Sequence, residues 1–124
     1  MIRLLLDTHV LLWWLSDTLP VASLARIADP ATDVSVSAAS VWEIAIKQSA
    51  GKLRAPADLE EQIAASGFTS LSIALPHALR AGSLPRHHAD PFDRMLVAQA
   101  QLEDLALMTA DKRLSAYDVR VLEI

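Results

Sequence analysis

The sequence contains no cysteine. Disulfide scaffolds, zinc–thiolate sites and thiol nucleophiles are therefore excluded, and the composition suits a protein of the cytoplasm. No apolar run is long enough to cross a membrane, since Val10–Leu15 is far too short. The opening Met1-Ile2-Arg3-Leu4-Leu5-Leu6 is interrupted by Asp7 and His9 before a leader's apolar region can form, and no small-residue cleavage site stands out. An excess of positive charge is also missing. The formal net charge is −4, which argues against coating nucleic acid by bulk electrostatics. It leaves room for an enzyme that meets phosphates locally, through a metal and a few Arg or Lys. There is no repeat, low-complexity tract or linker.

What remains is 124 residues, 52% of them hydrophobic. That is enough for one compact domain over residues 1–124, with some apolar surface to spare for a partner. Strand-like and helix-like segments alternate. Ile2–Leu6 reads as a strand buried on both faces, ending at Asp7. Val10–Leu15 reads as helical, and a second helix starts near Pro20 and runs to about Ala28. Val34–Ser37 is a short strand, followed by a helix over Ala39–Ala50 that Ser37 or Ser40 caps and Gly51 stops. Pro56-Ala57-Asp58 opens a helix ending before Gly67, and Leu71–Ala74 is a third strand. Pro76–Ala81 is a short helix stopped at Gly82, and Phe92–Leu102 is an amphipathic helix after a polar loop. Leu105–Thr109 is a strand, Asp111–Tyr117 a short helix and Val119–Leu122 a last strand. This order implies an α/β fold with a mainly parallel sheet flanked by helices. Sites in such sheets form outside the carboxyl ends of the strands.

Four acids can be tested against that rule. Asp7 directly follows the first strand, and Asp111 lies just past the Leu105–Thr109 strand. Glu43 sits in the first turns of the helix after Val34–Ser37. Asp93 opens the Phe92 helix, and it reaches the same edge only if that helix begins there. Each acid alone has an ordinary explanation as a cap or a macrodipole partner, worth roughly 0.3–1 kcal/mol. Glu43 and Lys47 also form an ordinary i,i+4 pair. Together the four point to a cation, because gathered carboxylates repel and resist burial without one. Oxygen-only ligation suits Mg²⁺ or Mn²⁺ rather than Zn²⁺. Such an ion can hold a phosphodiester and activate water without a protein nucleophile.

The same residues resemble a known family. The chain is similar over nearly its whole length to PIN domains, specifically VapC-type toxins of toxin–antitoxin pairs. Leu4-Leu5-Leu6-Asp7-Thr8-His9 resembles the family's first strand and first acid. Ser37-Ala38-Ala39-Ser40-Val41-Trp42-Glu43-Ile44-Ala45-Ile46-Lys47 resembles its second motif, and Gly51-Lys52-Leu53 fits the subfamily. His88-Ala89-Asp90-Pro91-Phe92-Asp93-Arg94-Met95-Leu96-Val97-Ala98-Gln99-Ala100 resembles the third, with Ala89 where relatives often carry a polar residue. Thr109-Ala110-Asp111 resembles the fourth. The resemblance implies an endoribonuclease dependent on Mg²⁺ or Mn²⁺, a homodimer, and inhibition by a small VapB-like antitoxin. It implies Asp7 and Asp93 as principal metal ligands, with Glu43 and Asp111 supporting the metal directly or through water.

Several neighbours have two readings. Asp90 is either a fifth acid of the site or a helix cap, and the Asp-Pro pair favours the cap. Thr8 either holds a water or phosphate or caps the first helix. Thr109 stands beside the last acid. Arg94 contacts phosphate, balances the acids or forms a surface ion pair. His87-His88-x-Asp90 has metal-binding residue types, but adjacent histidines point apart and the expectation is an exposed loop. Lys47, Lys52, Arg54, Arg86, Lys112 and Arg113 form either a phosphate-positioning rim or a mixed solvated surface. Trp13, Trp14 and Trp42 lie in apolar helical runs and read as core or interface. A phosphoacceptor receiver domain is disfavoured, because no acid follows the middle strand. A haloacid-dehalogenase-type phosphatase would need Asp-x-Asp where Asp7-Thr8-His9 stands. The alternative from another class is a non-catalytic PIN-like interaction module with a metal-binding acidic pocket.

Overall fold

Three consecutive leucines fix the centre of the molecule. Leu4, Leu5 and Leu6 lie in strand β1 (Ile2–Leu6) and are fully buried. Successive strand residues point to opposite faces. Leu5 accordingly joins one apolar cluster with Leu96, Val97, Leu107 and Leu114. Leu4 and Leu6 join a second with Val10, Leu11, Ile27, Ile44 and Met108. A strand apolar on both faces needs helices on both, and the computed structural model, which describes residues 1–124, has that three-layer arrangement.

After β1 come α1 (Thr8–Leu15), α2 (Val21–Ala28), β2 (Thr32–Ser37), α3 (Ala38–Ser49) and α4 (Leu59–Ala65). Then follow β3 (Thr69–Leu71), α5 (Leu75–Ser83), α6 (Pro91–Glu103), β4 (Ala106–Thr109), a 3-10 turn (Lys112–Ala116) and β5 (Val121–Glu123). The five strands lie in the order β3-β2-β1-β4-β5, and every neighbouring pair is parallel. The α/β class read from the sequence is the class observed. No helix is long and apolar enough to cross a membrane. From β1 the chain moves to β2 on one side, and β4 later pairs on the other. The crevice outside the carboxyl ends of β1 and β4 is therefore the topological switch point.

Several bounds shift by one or two residues, the last strand among them at Val121–Glu123 rather than Val119–Leu122, and two differences have a clear local cause. The third strand is Thr69–Leu71, not Leu71–Ala74, because Thr69, Ser70 and Leu71 pair with Ser35, Val36 and Ser37 of β2. The apolar residues Leu71, Ile73 and Ala74 straddle the strand's exit, where Ala74 already flanks α5. Helix α5 runs through Gly82 to Ser83, since Gly82 takes no left-handed conformation and does not stop it. Gly51, at φ 71, does follow the end of α3, and Ser37 rather than Ser40 caps that helix.

The placement of α6 decides where Asp93 falls. Asp104 takes a left-handed conformation at φ 54 and ends α6, and Leu105 leads straight into β4. This tight reversal makes α6 antiparallel to β4, so its first turn lies at the sheet's carboxyl edge. Helix α5 runs antiparallel to α6. His77 near the start of α5 meets Glu103 at the end of α6, at 2.8 Å, and Arg94 near the start of α6 reaches the carbonyls of Ala81 and Leu84. Gln99 of α6, fully buried, accepts from Ser37 Oγ and donates to the Ser72 carbonyl, tying α6 to the ends of β2 and β3.

Candidate metal centre

Asp7 continues the ladder one residue past β1, donating its N–H to the Met108 carbonyl at 3.0 Å. Its side chain then caps α1, with Oδ1 accepting from Val10 N at 2.8 Å. Oδ2 accepts from Thr109 Oγ1 at the end of β4. Asp7 is only 4% exposed. Burial pushes its carboxyl above the usual carboxylate range, against the lowering effect of the Thr109 and Val10 hydrogen bonds.

Asp93 occupies the first turn of α6, whose N-cap is Asp90. Its carboxyl is pushed up to about 6, first by burial and then by the neighbouring charge of Asp90. His88 opposes the shift, while Asp7 and Glu43 add to it. Asp111 in turn raises Asp7. Asp93 thus lies near Asp7 and Glu43, and Asp111 lies near Asp7.

The other two carry cations of the protein's own. Glu43, buried in the second turn of α3, accepts from Lys47 Nζ at 2.7 Å. That contact holds the Lys47 ammonium above its ordinary value. Asp111 caps the 3-10 turn and accepts from Arg113 Nε and Nη2 at 3.0 and 2.9 Å. The Arg113 guanidinium holds Asp111 well below the usual carboxylate range, with the Arg113 backbone N–H and His88 assisting.

Among the supporting residues, Thr109 is completely buried and links Asp7 to the Asp111 backbone N–H, which it accepts at 3.0 Å. Asp90 is the α6 cap, accepting from Phe92 N and Asp93 N. Thr8 does not cap α1, a role Asp7 takes. Its hydroxyl donates to Ser40 Oγ at 3.1 Å and joins α1 to α3.

Arg94 neither balances the acids nor forms a surface ion pair. Its guanidinium donates to the carbonyls of Ala81, Leu84, Pro85 and His88 and to Tyr117 Oη. The orphan carbonyls at the end of α5 attract it more strongly than solvent does.

His88, expected in an exposed loop, is instead part of the acidic cluster. It is buried, and its Nε2 lies 3.0 Å from Asp111 Oδ2 and 3.2 Å from Asp93 Oδ2. The signal was its place two residues before the Asp90 cap, inside the motif that ends in Asp93. His87, by contrast, is exposed and packs edge-on against Tyr117.

The donor set fits a divalent cation. Lys47 and Arg113 partner Glu43 and Asp111, whereas neither Asp7 nor Asp93 has a lysine or arginine partner. Uncompensated negative charge therefore concentrates on Asp7 and Asp93, both raised, with oxygen as the donor atom. Hard cations such as Mg²⁺ or Mn²⁺ match that chemistry.

A pH dependence follows for the protein in chelator. Asp93 binds its proton more tightly folded, near 6, than unfolded, near 3.8. Asp7 shifts in the same direction. Stability should therefore rise as pH falls from about 7 towards 5, because the folded state takes up more protons. Asp111 works oppositely, and its contribution is lost as pH falls below the unfolded value of 3.8. Melting followed by circular dichroism should show a gain of a few degrees between pH 7 and pH 5. A flat or falling profile over that interval would contradict the buried-acid assignment.

A PIN domain profile matches residues 4–120, whereas no curated protein matches the sequence. Several solved structures share the fold. VapBC2 from Rickettsia felis, bound to a DNA fragment from its promoter, superposes with TM-score 0.74 at 13% identity, covering 99% of both chains. DNA-bound VapBC from Salmonella typhimurium gives 0.73 at 16% identity, covering 99% of this chain and 98% of that one. A toxin–antitoxin complex from Klebsiella pneumoniae gives 0.67 at 24% identity, covering 97% and 98%. With the profile spanning nearly all of the sequence and the parallel five-stranded sheet in place, the chain belongs to the PIN domain family.

Proposed function

We propose that this protein is an endoribonuclease dependent on Mg²⁺ or Mn²⁺, and the toxin half of a toxin–antitoxin pair. The observation that carries the reading is the uncompensated pair of acids, buried Asp7 and half-buried Asp93, at the topological switch point. These two would hold the cation, with Glu43 and Asp111 supporting it directly or through water. Once bound, the cation would supply a water of lowered pKa and neutralise charge on the phosphodiester. Thr109 keeps the Asp7 carboxylate turned towards the pocket through its hydroxyl. Lys47 holds the Glu43 carboxylate in an ion pair, and Arg113 keeps Asp111 ionised. The exposed side chains of Lys52, Arg54, Arg86 and Lys112 are left to meet phosphates.

The partners have supporting surfaces. An apolar groove of about 430 Å³ lies between α3, α4 and β3, lined by Val41, Trp42, Ile63, Phe68 and Leu71. Trp42, 60% exposed, stands next to Glu43 in sequence and packs edge-on against Phe92. A VapB-like antitoxin offering an apolar helix fits such a groove, and the superposed structures include a toxin–antitoxin complex from Klebsiella pneumoniae. Leu75 and Leu79, one turn apart on α5, are about four-fifths exposed and would meet a second copy in a homodimer.

The test is incubation of purified protein with a panel of structured RNAs in Mn²⁺ or Mg²⁺. Cleavage that stops in chelator and in Asp7→Asn is the expected result. Intact RNA across the panel, with metal bound and the fold unchanged, would replace the nuclease with a metal-binding interaction module.

A further inference from the structure

We propose that His88 is a positioning residue: its Nε2–H bonds Asp111, keeps Asp93 close beside it, and does not itself bind the metal. The inference rests on the metal-site reading of the pocket and adds a role for a nitrogen that stands among oxygens. A histidine beside two carboxylates has the composition of a three-ligand metal site. The hydrogen bond on the other side of the ring argues against it.

His88 Nδ1 accepts the backbone N–H of Asp90 at 3.0 Å. A backbone amide can only donate, so Nδ1 keeps its lone pair there, and the proton of the neutral ring sits on Nε2. That nitrogen donates to Asp111 Oδ2 at 3.0 Å, and Asp93 Oδ2 lies beside it at 3.2 Å, drawn to the positive end of the N–H dipole. A nitrogen bearing a proton has no lone pair for a cation. Reversing the tautomer would set two N–H groups against each other and leave the Asp90 amide unsatisfied.

The ring is held in this pose by its loop. His88 N–H donates to Tyr117 Oη at 3.0 Å, and the Tyr117 hydroxyl donates to the Pro85 carbonyl at 2.9 Å. Arg94 Nη1 reaches both the Pro85 and the His88 carbonyls. No metal is needed to build this frame. Asp93 sits on α6 and Asp111 beyond β4, so the two belong to different elements. His88, beside both, sets their separation from the Oδ2 side. The cation's ligands are then oxygens alone, and the site should treat Mg²⁺ and Mn²⁺ alike with respect to His88.

The test begins with the wild-type protein. Long-range ¹H–¹⁵N spectra of the metal-free, ¹⁵N-labelled chain should report the Nε2–H tautomer for His88, and an Nδ1–H ring would overturn the proposal. His88→Leu and His88→Gln are then titrated with Mn²⁺, followed by the electron paramagnetic resonance of the free ion, and with Mg²⁺ in competition. Loss of an outer hydrogen-bond partner should weaken both ions by a similar factor of about ten in His88→Leu. His88→Gln, which keeps an N–H donor, should recover most of that loss. A Mn²⁺ penalty far exceeding the Mg²⁺ penalty, or imidazole ¹⁴N coupling in pulsed spectra of the Mn²⁺-loaded wild type, would make His88 a ligand and sink the proposal. Wild-type protein that binds neither ion would instead defeat the metal-site reading, with the tautomer measurement still deciding what His88 does.

Discussion

Asp93→Asn should abolish RNA cleavage and, in chelator at pH 7, raise the melting temperature. The two effects have one source. The Asp93 carboxyl is held near 6, so at pH 7 the fold carries an ionised group that burial and Asp90 disfavour. Asparagine keeps the shape and an acceptor for His88 but removes the charge, a relief of about 1–3 kcal/mol. Against this stands the favourable effect of an acid in the first turn of α6, roughly 0.3–1 kcal/mol. The balance favours the variant by a few degrees. Cap loss does not enter, because Asp90 is the cap. Activity should fall about a thousandfold, the size expected when several kcal/mol of metal-centred stabilisation are removed. Added Mn²⁺ should raise the melting temperature of the wild type and barely move the variant. The checks are thermal melts with chelator and with Mn²⁺, together with cleavage rates. A destabilised variant that still cleaves RNA would show that Asp93 serves the helix rather than the reaction.

Arg94→Met should lower stability by about 3–5 kcal/mol in urea unfolding. The guanidinium contacts lie at 2.9 and 3.0 Å for the Ala81 and Leu84 carbonyls, 3.0 Å for Pro85, 3.3 Å for His88 and 3.4 Å for Tyr117 Oη. The three shorter bonds dominate, each to a charged donor and each worth about 1.5–3 kcal/mol before relaxation. Methionine preserves much of the stem's volume but leaves those carbonyls without a donor. Arg94→Lys should recover less than half, since one ammonium cannot reproduce a planar fork with donors on both nitrogens. Cleavage should also weaken in both variants, because the loop that Arg94 holds carries His88. Unfolding that shifts by less than 1 kcal/mol would place Arg94 among ordinary surface cations.

How far the sequence spoke depended on where each residue's partner lay. The Leu4–Leu6 run announced a doubly covered strand, because burial on both faces leaves no polar alternation to read. Asp7 and Asp111 were placed by strand ends, and Glu43 by its helix. Asp93 stayed open until the Asp104 reversal showed which way α6 points. β3 was misplaced because its pairing to β2 is set by register, and Thr69-Ser70-Leu71 carries little apolar signal. His88 and Arg94 were undervalued for a different reason. His88 meets Tyr117 and Asp111, both more than 20 positions away, and Arg94 meets the carbonyls of a loop and helix end together with Tyr117 Oη. Nothing local in His87-His88 distinguishes the buried ring from the exposed one.

The two outermost strands, β3 and β5, have three residues each. An edge that short offers few free amides and carbonyls for an added strand, so the sheet is poorly suited to growth by backbone pairing. The exposed apolar side chains available for association lie instead on helical surfaces, among them Trp42, Leu75 and Leu79. Recognition of that kind is set by sequence rather than by the generic backbone. Paralogous chains with this sheet in one cell would thus be kept apart by their helix faces, each able to drift in partner preference while the acidic pocket stays unchanged.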